Sequence, residues 1–160
     1  MSNDTRSFSM SLPLDSDRFL RRECPTCERE FKWHVPEDAP EPSSEPRDTS
    51  RAYFCPYCGV EAPTSDWHTK EQAELAKSII YEEVVRPELE ALKRTVERSN
   101  RGGGFLRMSV EISDADPAPE ITATDDMRRI DFPCHPDEPV KVMDDWAREV
   151  HCLICGASVG

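Results

Sequence analysis

From Trp67 to Arg98 the apolar residues Leu75, Ile79, Ile80, Val84, Val85, Leu89, Leu92 and Val96 recur at the intervals of one helical face, which predicts a long helix over 67–100. Thr69 followed by Gln72 suits a capping box at its start, and Ser99-Asn100 before Gly102-Gly103-Gly104 suits its end. Pro87 removes a backbone donor and crowds the preceding turn, so a kink or restart is expected near Arg86. After the glycines, Leu106, Met108, Val110 and Ile112 alternate with polar residues, the period-two pattern of a half-buried strand. Ile130 and Phe132 alternate into Cys134 in the same way. Residues 1–17 follow neither period and read as a mobile tail. The Pro/Glu/Ser-rich stretch 36–50 and the Pro/Asp-rich stretch 113–126 read as loops with too little apolar material to order themselves.

Composition changes this picture by limiting the core. The 160 residues are 37% hydrophobic and 32% charged with 14 prolines, too little for one ordinary core and better suited to two small domains. A formal net charge of -12 predicts solubility and repulsion from nucleic acid and acidic membrane surfaces. No run approaches the roughly 18 apolar residues of a membrane span, and no export signal opens the chain, so a cytoplasmic protein is expected.

The seven cysteines supply the chemistry. An odd count without an export signal, mostly in Cys-x-x-Cys pairs, favours metal thiolates over disulfides. Cys24-Pro25-Thr26-Cys27 and Cys55-Pro56-Tyr57-Cys58-Gly59 each fit a knuckle, a tight turn that aims two sulfurs at one ion. Two knuckles complete a four-sulfur shell of Cys24, Cys27, Cys55 and Cys58. Cys152-Leu153-Ile154-Cys155-Gly156 is a third knuckle, and the adjacent pair Cys134-His135 is its partner. The second shell needs a nitrogen from His135 or His151. Strand alternation points His151 away from Cys152, which favours Cys134, His135, Cys152 and Cys155. A thioredoxin-like redox pair would open a helix within a strand-helix-strand unit, and that pattern is absent.

The fold expected is a small, metal-stabilised α+β protein in which two zinc-ribbon-like β modules are joined by a long helix. The first module spans 18–66 with the insertion 36–50, the helix 67–100, and the second module 105–160 with the loop 113–126. Two structural zinc ions per chain follow from the full shells, and modules this small depend on them for folding.

The segments Phe19-Leu20-Arg21-Arg22-Glu23-Cys24-Pro25-Thr26-Cys27, Phe31-Lys32-Trp33 and Tyr53-Phe54-Cys55-Pro56-Tyr57-Cys58-Gly59 resemble uncharacterised bacterial zinc-ribbon proteins. So do Pro133-Cys134-His135 and the closing His151-Cys152-Leu153-Ile154-Cys155-Gly156. The resemblance implies the ribbon fold and brings no activity or partner with it.

Three functions fit these residues. The first is a non-enzymatic protein-interaction or adaptor module, supported by the acidic balance and by the helix, whose 67–98 stretch mixes seven glutamates with six lysines and arginines. The second is a nucleic-acid-binding ribbon, motivated by Arg18, Arg21, Arg22, Arg29 and Lys32 interleaved with Phe31 and Trp33. The third is a rubredoxin-like iron electron carrier, disfavoured because Glu28 stands where such sites carry glycine.

Overall fold

The computed structural model describes residues 10–38, 51–114 and 116–160. The loop expected at 36–50 lies outside them beyond residue 38. The protein is a small α+β structure whose described residues form one long helix and antiparallel sheets. It divides into two compact units, one built on Ala73–Glu120 and the other on Ser11–Gln72 with Ile121–Gly160.

Among the described residues the second of these units contains four β-hairpins: β1 (Phe19–Glu23) with β2 (Glu30–His34), β3 (Ala52–Phe54) with β4 (Glu61–Pro63), β5 (Met127–Phe132) with β6 (His135–Met143), and β7 (Val150–His151) with β8 (Ser158–Val159). The two longer hairpins join edge to edge in one antiparallel sheet of order β1-β2-β6-β5. The modules expected as separate domains therefore share a sheet and one core, which gathers Phe31, Trp67, Phe132, Val140, Val142 and Leu153. Sharing is what lets so little apolar material suffice. The two short hairpins also meet, and their contacts repeat with roles exchanged. The Phe54 amide donates to Leu153 O at 2.8 Å and the His151 amide to Pro56 O at 2.9 Å, so each segment entering a knuckle pairs with the other.

The far face of the sheet carries a row of cations. Arg21, Lys32, Lys141 and Arg129 stand opposite one another across all four strands. Lys32 and Lys141 are buried, and one carboxylate serves both: Asp15 Oδ2 lies 3.0 Å from Lys32 Nζ and 2.9 Å from Lys141 Nζ. Its other oxygen accepts from the Phe19 amide at 2.9 Å. Lys141 also meets Asp17 at 2.7 Å, while Arg21 and Lys32 both meet Asp126, and Lys32 donates to the Thr124 carbonyl. Asp15 is buried, so the tail expected over 1–17 does not include it, and residues 1–9 lie outside the described residues. A sequence pattern of apolar periods passes over a residue ordered by charge.

In the other unit the helix runs through α1 (Lys70–Ile80), a π-helical turn (Tyr81–Val85) and α2 (Arg86–Arg101). The expected capping box is present: the Gln72 amide donates to Thr69 Oγ1 and the Thr69 amide to Gln72 Oε1, both at 3.2 Å. The restart expected at Pro87 takes the form of the π turn, in which the Arg86 amide reaches back to Tyr81 O. The extra residue suits the apolar stripe, which skips five positions from Ile79 and Ile80 to Val84 and Val85. The strand expected at Leu106–Ile112 does not form. That segment has no strand partner among the described residues: Asn100 brackets Met108 with bonds of 2.7 and 3.1 Å, Tyr81 donates to Ser113 O at 2.7 Å, and Arg86 meets Asp114 at 3.4 Å. Val110 and Ile112 are half-buried, while Leu106 and Met108 stay exposed.

The buried ion cluster gives a pH signature. Burial pushes the Asp15 carboxyl up, but Lys141, the Phe19 amide and Lys32 outweigh it and hold the group at about 2, below its ordinary 3.8. The stabilisation, about 2 kcal/mol, is present above pH ~4 and lost as pH falls through ~2. Asp15→Asn should cost roughly 3–5 kcal/mol in denaturant unfolding, because it leaves two buried lysines short of charge. The deficit should be the same at pH 7 and pH 5 and shrink below about pH 4; a deficit constant with pH would contradict this.

Candidate metal centres

Each donor pair sits at the tip of one hairpin: Cys24 and Cys27 between β1 and β2, Cys55 and Cys58 between β3 and β4, Cys134 and His135 at the β5-β6 turn, Cys152 and Cys155 between β7 and β8. Three tips share one backbone design. In each, the amide four residues after the first cysteine returns to that cysteine's carbonyl at 2.9 Å, from Glu28, Gly59 and Gly156. The amides of Cys24, Cys55 and Cys152 donate in turn to Arg29 O, Val60 O and Ala157 O at 2.9–3.0 Å. The returning residue has a left-handed backbone, with φ of 54° at Glu28, 68° at Gly59 and 72° at Gly156. Glu28 thus adopts the conformation that glycine takes in the other two, at the cost of Cβ crowding.

Glycine has a second reason at two tips. A Cβ on Gly156 would lie 2.9 Å from the Phe54 ring and one on Gly59 3.2 Å from the His151 ring, so the two short hairpins close only over glycine. His151 is therefore committed to packing on the first cluster's knuckle, and its Nδ1 lies 3.2 Å from Gly156 O. It is not part of the second cluster, in line with its strand parity.

The fourth tip is different. Pro133 and Cys134 form a two-residue turn, with the register between Ile130 and Phe132 shifted just before it, and this turn presents adjacent side chains to Cys152 and Cys155. Tyr57 fixes the facing tip of the first cluster: its hydroxyl donates to Glu30 O at 2.7 Å and accepts from the Met143 amide at 3.0 Å. Sequence reasoning passed over this tyrosine; its position inside a knuckle was the only signal available.

The donor atoms converge in two groups. The sulfurs of Cys24, Cys27, Cys55 and Cys58 all lie within 4.8 Å of one another, as do the sulfurs of Cys134, Cys152 and Cys155 with a nitrogen of His135. In the first group Cys24–Cys58 is 3.8 Å and Cys27–Cys55 3.7 Å. A tetrahedral shell with metal–sulfur bonds of about 2.3 Å has edges of about 3.8 Å. In the second group the sulfur–sulfur distance Cys134–Cys155 is 3.5 Å, slightly inside that edge, and Cys152 Sγ–His135 Nδ1 is 3.4 Å, against about 3.6 Å for a sulfur–nitrogen edge. Both donor sets fit zinc.

Amides are aimed at the sulfurs as well. Thr26 and Cys27 donate to Cys24 Sγ at 3.3 and 3.4 Å, and Tyr57 donates to Cys55 Sγ at 3.3 Å. Burial pushes the Cys24 thiol up, but these amides outweigh it and hold it below its ordinary value, whereas burial drives Cys55 well above it. Cys155 is held low by the Ala157 amide, while desolvation and the facing Cys155 and Cys152 push Cys134 up to about 11. Thiols this close compete for one negative charge, and a divalent cation among them removes the competition.

The basic residues read as a nucleic-acid surface are largely spent inside the protein. Lys32 is buried on Asp15, and Arg21 is held by Glu30 at 2.7 Å and by Asp126. Arg22 is buried, stacks 4.4 Å from the Trp33 ring centre and reaches Gln72 at 3.2 Å. Arg18 donates to Val35 O and Pro36 O, and exposed Arg29 lies over Trp146 at 5.0 Å. No protein-family model, curated protein or solved structure matches the chain.

This geometry separates the two histidines by experiment. His135→Ala should lower the affinity for one of two bound ions and leave the other, as counted by native mass spectrometry; His151→Ala should leave both ions bound while lowering stability by about 1 kcal/mol. Loss of an ion from the His151 variant alone would reverse the ligand assignment.

Proposed function

We propose that the chain is a structural-zinc protein, two zinc-ribbon-like modules fused through one sheet, that acts without catalysis as a protein-interaction or adaptor module. The observation that carries the reading is the convergence of four hairpin tips into two four-donor groups whose edges match tetrahedral zinc. Four protein donors leave a shell closed, with no position for the water or substrate of a catalytic site. Each ion would contribute about 10–16 kcal/mol of folding free energy to a unit whose short hairpins have strands of only two or three residues. The free state of all seven cysteines agrees with a reducing cytoplasm. The likeness to uncharacterised bacterial zinc-ribbon proteins agrees with the same reading.

A protein partner is favoured over nucleic acid by the fate of the basic residues. Arg21, Arg22 and Lys32 are neutralised or stacked within the fold, and the net charge of -12 opposes a polyanion. Iron in the first group, as in rubredoxin, remains the third reading; the left-handed Glu28 gives that knuckle the same backbone as its glycine counterparts, so metal identity rests on analysis. Elemental mass spectrometry of the purified chain should find two zinc ions per chain, and chelation at neutral pH should abolish its near-ultraviolet circular dichroism. Single- and double-stranded probes should show no binding at physiological salt. A red, iron-containing protein, an unchanged spectrum after chelation, or binding that falls steeply with salt would each contradict a stated part of this reading.

A further inference from the structure

Although their donor sets are alike, the two clusters differ in access. In the first, Cys24 and Cys55 are 1% and 0% exposed, and the exposed Cys58 has the buried Cys24 as its neighbour at 3.8 Å. In the second, Cys152 is fully buried, but Cys134 and Cys155 are both exposed and lie 3.5 Å apart. The supports differ too. Cys134 sits on a two-residue turn, and Cys155 lies in a hairpin whose strands are two residues each. The first cluster is clamped by Tyr57 between Glu30 and Met143.

An exposed thiolate with a second thiolate beside it is the arrangement that peroxide oxidises to a disulfide. We propose that Cys134 and Cys155 form an oxidation site for hydrogen peroxide or a small organic peroxide, and that their disulfide opens the second metal centre while the first stays closed. The inference rests on the zinc reading of that centre and adds its regulation. The first thiolate attacks the peroxide O–O bond; that bond breaks, an S–O bond forms, and the leaving hydroxide takes a proton to become water. The second thiolate then attacks the sulfenic sulfur; an S–S bond forms, the S–O bond breaks, and a second hydroxide leaves as water. The sulfurs lose two electrons and the peroxide gains them, so two thiolates, one hydrogen peroxide and two protons give one disulfide and two waters, and an organic peroxide gives one water and one alcohol instead. His135 and Cys152 are then the only donors left, too few for a four-coordinate shell.

The sulfurs must close from 3.5 Å to the roughly 2.05 Å of a disulfide, a movement that the turn and the short hairpin can absorb. The disulfide would replace the ion as the tie between the C-terminal hairpin and the β5-β6 turn, and the hairpin would keep its contacts with β3, through Phe54–Leu153 and His151–Pro56. Oxidation would thus empty one metal centre, freeing His135 and Cys152 from the ion, without unfolding the unit.

The experiment uses the full chain as purified, with its zinc content measured first. Hydrogen peroxide is added, released zinc is followed with a chromogenic chelator, and disulfides are mapped by peptide mass spectrometry before and after reduction. The expected result is release of one zinc per chain with a Cys134–Cys155 disulfide, at least about tenfold faster than any loss from the first cluster, and recovery on reduction with added zinc. Release of both ions together, a first disulfide at Cys152–Cys155 or Cys24–Cys27, or no oxidation at peroxide levels that oxidise a free thiol would overturn it. A chain that holds no zinc before peroxide is added would refute the metal reading itself, and this inference with it.

Discussion

The constraint on which the rest of this structure depends is that no hairpin stands by its own strength. β3 and β4 have three residues each and β7 and β8 two, far below what a free hairpin needs in water. On our reading what holds them is the meeting of their tips at metal, four donor atoms within 4.8 Å in each of two groups. The knuckles deliver those atoms by a fixed backbone design, repeated at Cys24, Cys55 and Cys152. The core is organised around the same residues, since Cys24, Cys55 and Cys152 are part of it. On our reading the ions are thus a component of the core rather than an ornament on its surface.

The second level of organisation is the joining of two such assemblies. The longer hairpins share the β2-β6 ladder, and the shorter ones exchange equivalent bonds between Phe54 and Leu153 and between His151 and Pro56. Gly59 against His151 and Gly156 against Phe54 repeat that exchange in side chains. Joining the sheet places Lys32 directly opposite Lys141, two like charges that water no longer screens. Asp15 between them converts this repulsion into a tie. Much of the basic character visible in the sequence, at Arg21, Lys32 and Lys141, is consumed in this way.

The metal groups were legible in the sequence because ligand spacing is local: Cys-x-x-Cys defines a knuckle wherever it occurs. The structure places a nitrogen of His135 among the sulfurs of Cys134, Cys152 and Cys155, the grouping that strand parity favoured over His151. The capping box of Thr69 and Gln72 was also local, and so was the disturbance near Pro87, although its form as a π turn was not. What failed was long-range. The alternation Leu106–Ile112 is real, but a period of two cannot tell a strand from a segment held by Asn100, Tyr81 and Arg86. Asp15 was unreadable because its partners are Lys32 and Lys141, the latter 126 residues away. The basic residues from Arg18 to Lys32 looked like one surface because a sequence shows which charges are near in the chain, not which carboxylates face them in the fold.

The most direct test of the central claim is X-ray absorption at the zinc edge on the protein as purified. One four-sulfur shell and one shell of three sulfurs and a nitrogen predict an average of about 3.5 sulfurs at ~2.3 Å and 0.5 nitrogen at ~2.0 Å per ion. A first shell dominated by oxygen or nitrogen, or no zinc edge at all, would contradict the claim that these hairpin tips are tied by metal.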